Sequence, residues 1–432
     1  MSNAKLKLMV LLLTISLLGV QFALASHSIK QKSMVYLNKK TKQFFSYIYA
    51  KDHYDYGHKA GKKFFFFYKF LGFFARLIQE PPADDYAEKT LENLSIYSPW
   101  LIEELQGLSN STGIGIKNLL NIFNLFTKSN QCTVILVTGN ATKNNETFLA
   151  QNLDMRRDNV KNVFLTHVYS RFLTNIFVIA DIETENYSYV FCGLPIFYEL
   201  PLMNQAGLGF GGNGLSLTKN ITRYVDEKSG VSTYSIERLT MMRCKNIFEV
   251  QKLWENIVRA SGRNRFWPHF WDNSIPSFCD KNGDIITIEQ THNYICFVYR
   301  NSTDITKTYN GILWHANHHQ FLDPNLTGSV YPGEENVDQS TFLRAKRSVE
   351  LLEKNYGKIT IDIIKKIMRD HKGGTDKNGR DSSDICRYPD KNGSYTTVVS
   401  WIIQPKDMRL YFAHNTPDKT RYQRIDLADI FT

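Results

Sequence analysis

Hydrophobic and polar positions follow two different periods along this chain. From Asp84 to Leu125 the spacing is helical. Leu101, Leu105 and Leu108 fall on one face, a Ser109-Asn110-Ser111 break follows, and a second run passes through Leu119, Leu120 and Ile122. After Gln131 the period shortens. Thr133 to Val137 is a β-rich run, Gly139 to Asn145 is turn material, and Phe148-Leu149-Ala150 resumes strand character. Val163 to Val168, Ile176 to Ile182 and Tyr187 to Phe191 read as further strands. Asp-Lys-Asn-Gly begins at positions 280, 376 and 390, each time predicting a tight turn. The Asp280-x-Asn282-x-Asp284 order hints at a calcium loop, but it lacks the following glycine and the closing glutamate, so a hairpin is expected. Helical spacing returns from Thr341 to Arg369, and strand spacing from Thr396 to Ile403 and Leu410 to Ala413. This order predicts an α+β fold with sheets packed face to face beneath helical layers.

The first residues change the setting. Lys5 and Lys7, the apolar run from Leu8 to Leu18, and Ala23-Leu24-Ala25 have the order of a secretory signal peptide cleaved after Ala25. The alternative is an N-terminal membrane anchor. No later stretch reaches the roughly 18 apolar residues a spanning helix needs. Nine Asn-x-Ser/Thr sequons, at Asn93, Asn110, Asn140, Asn145, Asn186, Asn220, Asn301, Asn325 and Asn392, predict a secreted or lysosomal glycoprotein, although the chain is rich in Asn generally.

Hydrophobic residues make up 43% of the chain, which excludes a disordered protein. The formal charge of +10 is spread rather than clustered, so nucleic acid is not an expected partner, while peripheral contact with an anionic membrane stays open. The aromatic stretch from Phe64 to Phe74 fits either a helix packed on the rest of the chain or a lipid-facing one. Packing is the preferred reading.

Several local patterns carry little. The six cysteines show no Cys-x-x-Cys spacing, so neither a zinc site nor a thioredoxin motif is expected, and their pairing stays open. Gly207-Leu-Gly209-Phe-Gly211-Gly212 satisfies Gly-x-Gly-x-x-Gly, but no helix-forming segment follows and Asp226 comes too early for a dinucleotide site. A Gly-rich strand running close to other backbone is expected instead. His315, His318 and His319 could share a metal only on a helix, and the segment is short and lacks a catalytic glutamate. No metal or cofactor is expected.

Cys132 opens the strand after a polar stretch, and by itself reads as a buried core cysteine. Three further residues alter that. Asp154 ends the next strand, so a hairpin could return it beside Cys132. Asn213 lies in the Gly-rich strand and Asn317 between histidines. A thiol, a carboxylate and two amide donors are the parts needed for acyl transfer.

Cys132-Thr133 through Ala150-Gln151-Asn152-Leu153-Asp154 resembles the start of the mature catalytic chain in the penicillin acyltransferase (isopenicillin-N acyltransferase) family of N-terminal-nucleophile hydrolases. Acid ceramidase and bile-salt hydrolases are wider relatives. The resemblance continues through Met203 to Asn213, Trp314 to His318, Ser340 to Arg344 with Arg347, Ile385-Cys386-Arg387 and Thr396 to Ser400, and extends upstream to Leu101–Gly107. It implies a four-layer αββα sandwich that cuts itself between Gln131 and Cys132. Residues 26–131 would form a mostly helical alpha chain and 132–432 the catalytic beta chain, together one domain.

The resemblance further implies that the freed α-amine acts as base and Cys132 as nucleophile on a small-molecule or lipid amide, such as ceramide. Asp154 would hold the amine, with Asn317 and then Asn213 as oxyanion donors. Gln151 stands where bile-salt hydrolases and acid ceramidase carry Arg, so that Arg's role does not transfer. Arg344 is expected to be a structural salt-bridge residue or a cationic aid. The alternative is a catalytically inactive secreted glycoprotein that uses the fold for binding.

Overall fold

The short-period runs close into two sheets, and the long-period runs lie outside them. A computed structural model of the chain describes residues 35–38, 43–78, 84–125, 131–156, 173–216, 229–260, 274–299, 310–331, 339–371, 384–388 and 395–431. Its strands are β1 Val35–Asn38, β2 Gln43–Ala50, β3 Gln131–Val137, β4 Phe148–Arg156, β5 Ile176–Ile182, β6 Tyr189–Leu194, β7 Tyr198–Asn204, β8 Gly209–Gly214, β9 Ser274–Cys279, β10 Ile285–Gln290, β11 Ile295–Tyr299, β12 Ile312–His315, β13 Tyr395–Gln404, β14 Arg409–His414 and β15 Gln423–Asp426. Its helices are α1 His53–Lys63, α2 Phe65–Ile78, α3 Asp84–Tyr97, α4 Pro99–Thr112, α5 Ile116–Leu125, α6 Thr233–Arg243, α7 Ile247–Asn256, α8 Ser340–Lys354 and α9 Ile361–Ile367.

One sheet runs β1-β2-β5-β6-β7-β8-β9-β10-β11 and the other β12-β3-β4-β13-β14-β15. Neighbouring strands are antiparallel except for β2 and β5. The sheets face each other where β8 meets β3 and β4, and β10 meets β12. Helices α1 and α6 cover the outer side of the larger sheet, and α8 covers β3 and β12 of the smaller. The architecture is the expected four-layer αββα sandwich. Cys132, Val134 and Leu136 point into the core between the sheets, whereas Ile135 and Val137 join a separate cluster under α8 and α9.

The sheets can approach at the site because β8 has almost no side chains. A Cβ on Gly209 would lie 2.7 Å from Ile403 Cγ2, and one on Gly211 would lie 2.8 Å from Leu149 Cδ2. The Gly-x-Gly-x-x-Gly stretch is therefore a strand serving close sheet contact, as expected, and cradles no phosphate helix.

Some boundaries differ from the sequence reading. The helix carrying Leu101 runs through the predicted Ser109–Ser111 break and ends at Gly113, whose φ of +66° suits glycine. Ser111 and Thr112 hydroxyls bond back to Leu108 O, so these residues are tolerated in the last turn. Residues 26–131 are not only helical, since β1 and β2 extend the larger sheet. The turn at Asp280 is a hairpin in which Asp280 Oδ1 accepts from Asn282 N and Asp284 N. The turns at 376 and 390 and the strand at Val163 to Val168 lie outside the described residues.

The region before Cys132 is locked to the region after it by buried charge. Helices α1 and α4 cross with backbones nearly touching at Gly57 and Gly107, where a Cβ would come within 2.0 Å of a carbonyl oxygen. This contact carries Glu104 into a network with no solvent exposure. Arg238 donates two bonds to Glu104 at 2.9 and 3.0 Å, and its Nε lies 2.9 Å from Glu199. His53 bridges Glu104 and Glu185 at 2.9 and 3.0 Å. Burial alone would lower the His53 pKa, but the two carboxylates hold it at about 9, so it stays charged at neutral pH. Removing one partner of such a network strands a buried charge. Glu104→Ala is expected to lower unfolding free energy by about 3–5 kcal/mol in urea titration; a loss near zero would show that the network is not stabilising.

Candidate active site

Strand β3 begins at the expected cut site, with Gln131 and Cys132 in one continuous strand. Its register against β4 pairs Gln131 with Asp154 and Cys132 with Leu153. The hairpin thus returns Asp154 as predicted, but opposite the residue before the nucleophile. Because alternate residues face opposite sides, Asp154 shares a face with Gln131, under the helices. The Cys132 side chain enters the inter-sheet core.

The Cys132 peptide N–H donates to Asn317 Oδ1 at 3.1 Å. Asn317 Nδ2 donates to Gly214 O at 2.6 Å, its backbone N–H donates to Thr341 Oγ1 at 2.7 Å, and its carbonyl accepts from Ser216 N at 2.7 Å. The expectation for Asn317 therefore needs revision. In this arrangement its oxygen faces the Cys132 N–H, and an oxygen is an acceptor that cannot stabilise an oxyanion. Asn213 Nδ2 donates to His315 O at 3.2 Å, while its Oδ1 is buried without a hydrogen-bond partner. The second Nδ2 hydrogen of Asn213 remains for another acceptor.

Arg344 is the residue whose role the sequence reading placed least well. Fully buried on α8, it donates to Ser340 Oγ at 3.0 Å, Thr133 Oγ1 at 2.9 Å, Gln131 Oε1 at 3.3 Å and Asn317 Oδ1 at 2.7 Å, and also to the Cys132 carbonyl. It brackets the Gln131–Cys132 bond rather than acting as a remote structural cation. Arg387 also donates to Gln131 Oε1, and Thr397 Oγ1 donates to Asp154 Oδ1 at 2.6 Å. Arg387, Thr397 and Thr341 had no assigned role in the sequence. All three lie within the motifs Ile385-Cys386-Arg387, Thr396–Ser400 and Ser340–Arg344, which was the available signal.

Gln151 closes the other side. Its amide exchanges two bonds with Gly212, Nε2 to the carbonyl at 2.6 Å and Oε1 from the N–H at 2.8 Å. Burial pushes the Cys132 thiol up to about 12, and the Asp154 carboxylate adds to this. Arg344, the Gly214 N–H and the Gln151 side chain oppose it without winning. Burial also raises the Asp154 carboxyl, against Arg344, Arg387 and Thr397. In this arrangement the thiol is therefore protonated at neutral pH.

The three histidines do not converge on a metal. His318 Nδ1 bonds Thr341 Oγ1 at 2.8 Å and His319 Nδ1 bonds Thr327 Oγ1 at 2.9 Å, and burial lowers their pKa values to about 3 and about 4. All six cysteines are free thiols. Among the sequons, Asn110, Asn140, Asn145, Asn186 and Asn325 are exposed, and Asn220, Asn301 and Asn392 lie outside the described residues. Asn93 differs: its buried amide bonds both the N–H and the carbonyl of Gly230, at 3.0 and 2.9 Å. A glycan there is incompatible with this packing, since its nitrogen faces protein.

The loop that holds Asn317 is braced by Glu289. This buried carboxylate accepts from the backbone N–H groups of Gln320, Phe321 and Leu322 at 2.6, 3.0 and 2.7 Å and lies 3.0 Å from His315 Nε2. Burial would raise its pKa, but His315, His319 and the Gln320 N–H hold it down at about 2. A depressed carboxyl stabilises the fold fully above its unfolded value near 4.3, and that contribution is lost as pH falls towards 2. Acid titration of urea stability is expected to lose roughly 3 kcal/mol from this group between about pH 5 and pH 2. Glu289→Gln should flatten that slope; an unchanged slope would exclude Glu289 as its source.

No curated protein sequence matches the chain. A variant of conjugated bile acid hydrolase from Clostridium perfringens superposes with a TM-score of 0.39 at 15% identity, covering 69% of this chain and 93% of that one. Penicillin V acylase from Agrobacterium tumefaciens gives a TM-score of 0.37 at 14% identity, covering 68% and 86%. The family model described as acyl-coenzyme A:6-aminopenicillanic acid acyl-transferase matches residues 141–419, about two thirds of the chain. The match takes in Asp154, Asn213, Asn317, Arg344 and Arg387; Cys132 and Leu101–Gly107 lie upstream of it. On this match the chain belongs to the acyl-coenzyme A:6-aminopenicillanic acid acyl-transferase family.

Proposed function

We propose that this protein is a self-processing amidohydrolase or acyltransferase that cuts itself between Gln131 and Cys132 and then uses Cys132 as an N-terminal nucleophile on an N-acylated amine. The observation that carries the reading is the enclosure of one peptide bond. Arg344 holds the Cys132 carbonyl and the Gln131 side chain, Asn317 Oδ1 holds the Cys132 N–H, and Gly214 and Gln151 contact the thiol. A structural core cysteine needs none of these.

In the first step Cys132 Sγ bonds to the Gln131 carbonyl carbon. The C–N bond breaks, and the thiol proton ends on the departing nitrogen, leaving a thioester. Water then cleaves the thioester, releasing the Gln131 carboxylate and restoring the thiol. The new α-amine keeps Asn317 Oδ1 as its acceptor, and an α-amine near pH 7.7–8.0 suits general-base work. Departure of Gln131 opens its seat between Arg344 and Arg387, on the face that Asp154 occupies, so Asp154 can balance the amine's charge.

In turnover the amine takes the thiol proton, sulfur attacks the substrate acyl carbon, and the amine returns the proton to the leaving nitrogen. Water or an acceptor amine then takes the acyl group. The Gly214 N–H and the second Nδ2 hydrogen of Asn213 are the candidate oxyanion donors. Losing one such donor costs roughly 2.7–4 kcal/mol of barrier.

The signal-like segment at 1–25 and the exposed sequons support secretion or lysosomal delivery of this enzyme as a glycoprotein. The two-chain form would stay together, because the Glu104–Arg238–His53 network joins the segments on either side of the cut.

A lipid amide such as ceramide is the favoured substrate class. Helix α2 buries Phe67, Tyr68, Leu71 and Phe74 and exposes Phe66, Lys69, Phe73 and Arg76 on its other face. Phe66 and Phe73 are 64% and 65% exposed. The packed reading accounts for one face, and the exposed aromatic–basic character of the other supports contact with an anionic lipid surface.

Two experiments test these claims. The purified wild-type protein is expected to run as two chains, one starting at Cys132, with Cys132→Ala a single inactive chain. An intact precursor that hydrolyses amides would overturn the mechanism, and an uncut, inert wild type would favour a binding role. Wild-type protein is also expected to sediment with phosphatidylserine vesicles, and Phe66→Ser/Phe73→Ser to lose most of that binding. Equal sedimentation of the variant would assign α2 to packing alone.

A further inference from the structure

A second cluster of reactive side chains lies on the helical side of the smaller sheet. His371 follows α9, Cys386 sits in the segment Asp384–Tyr388, and Asp418 lies in the turn after β14. One ligand atom from each falls within 4.8 Å of the others. His371 Nε2 is 3.4 Å from Asp418 Oδ2, and Cys386 Sγ is 3.7 Å from Asp418 Oδ1. Two donors on a tetrahedral ion at about 2.0–2.3 Å sit about 3.3–3.8 Å apart, the range of both separations from the Asp418 carboxylate, and the third pair lies within 4.8 Å.

The other side of the imidazole supplies an independent sign. Asp384 Oδ2 lies 3.7 Å from His371 Nδ1. Histidines that bind metal nearly always direct the second ring nitrogen at a carboxylate or carbonyl, which fixes the tautomer and leaves the first nitrogen's lone pair free. The ring plane is set as well, stacked on Tyr388 at 4.3 Å and 9°. Cys386 is fully buried, whereas the side chains of His371 and Asp418 are 25% and 21% exposed. An ion would thus have a protein wall behind it and a solvent opening in front.

We propose that His371 Nε2, Cys386 Sγ and an Asp418 carboxylate oxygen bind one divalent ion of the zinc class, with Asp384 orienting His371 and water as fourth ligand. Thiolate and imidazole select a borderline-soft ion over calcium or magnesium. Binding displaces the Cys386 thiol proton to solvent, and the thiolate and the Asp418 carboxylate neutralise the two positive charges. The alternative is a protonated His371 paired with the two carboxylates, which assigns no task to the thiol.

The site would act on the catalytic centre through one residue. Cys386 adjoins Arg387, whose guanidinium holds Gln131, and the Cys386 N–H donates to Asp370 O at 3.1 Å. An ion at Cys386 would anchor this segment to α9 and to the turn after β14.

Full-length protein purified without chelator is expected to carry one zinc per chain by elemental analysis. Cobalt substitution should give the intense visible bands of a four-coordinate ion and a near-ultraviolet thiolate-to-cobalt band, both read on the unmodified chain. Cys386→Ser should abolish the latter band, Asp384→Asn should weaken metal affinity about tenfold or more, and Cys132→Ala should leave metal content unchanged. Wild type that binds cobalt without a thiolate band, or that holds no stoichiometric metal, overturns the proposal, as does full occupancy in Cys386→Ser.

Discussion

The Cys132 carbonyl, the Gln131, Thr133 and Asn317 side chains and the Ser340 hydroxyl all converge on the Arg344 guanidinium. A planar fork with five donors can satisfy such a set of oxygens, which a point charge such as lysine could not. Three of the acceptors belong to consecutive residues of β3, one to the Asn317 loop and one to the preceding turn of the same helix, and Arg344 sits without solvent exposure on the helix that covers β3. Remove the guanidinium and several buried oxygens lose a donor together, including the one that faces the Cys132 N–H.

This constraint ties together a strand end, a helix face and the braced loop that carries Asn317. Strand β3 carries two chemistries on alternate residues. Cys132 points into the dry core between the sheets, where burial keeps its thiol protonated, and Gln131 points under the helices towards the two arginines. The bond between them passes from one face of the sheet to the other.

The segment upstream of Cys132 does more than end at the nucleophile. Its strand β2 pairs with β5, and its helices place His53 and Glu104 beside Arg238. Those contacts are buried, and their charges balance only together. The segments before and after Cys132 are thus joined by buried packing as well as by the continuity of the chain.

Much of the fold was legible because period is local. The helical spacing of Leu101, Leu105 and Leu108, the strand runs at Thr133–Val137 and Ile176–Ile182, and the turn at Asp280 all depend on neighbouring residues. The Gly-rich run was legible as a strand in close contact, though not as the place where two sheets meet. For the site, Cys132 and Asp154 stood out through motif order, as did Asn213 and Asn317. Their roles did not, because a side chain's face and partner are non-local. One residue of register decides that Asp154 opposes Gln131 rather than Cys132, and amide orientation decides that Asn317 offers an oxygen to the Cys132 N–H. Arg344 read as a salt-bridge residue because nothing near it in sequence reveals that its helix lies on the start of β3 and beside Asn317, and Asn93 read as a glycan acceptor because a sequon says nothing about Gly230. The sequence by itself determined the elements, the family resemblance and the bond to be examined. Only the tertiary structure decided which atoms face that bond, because donors and acceptors are matched in space and not in order.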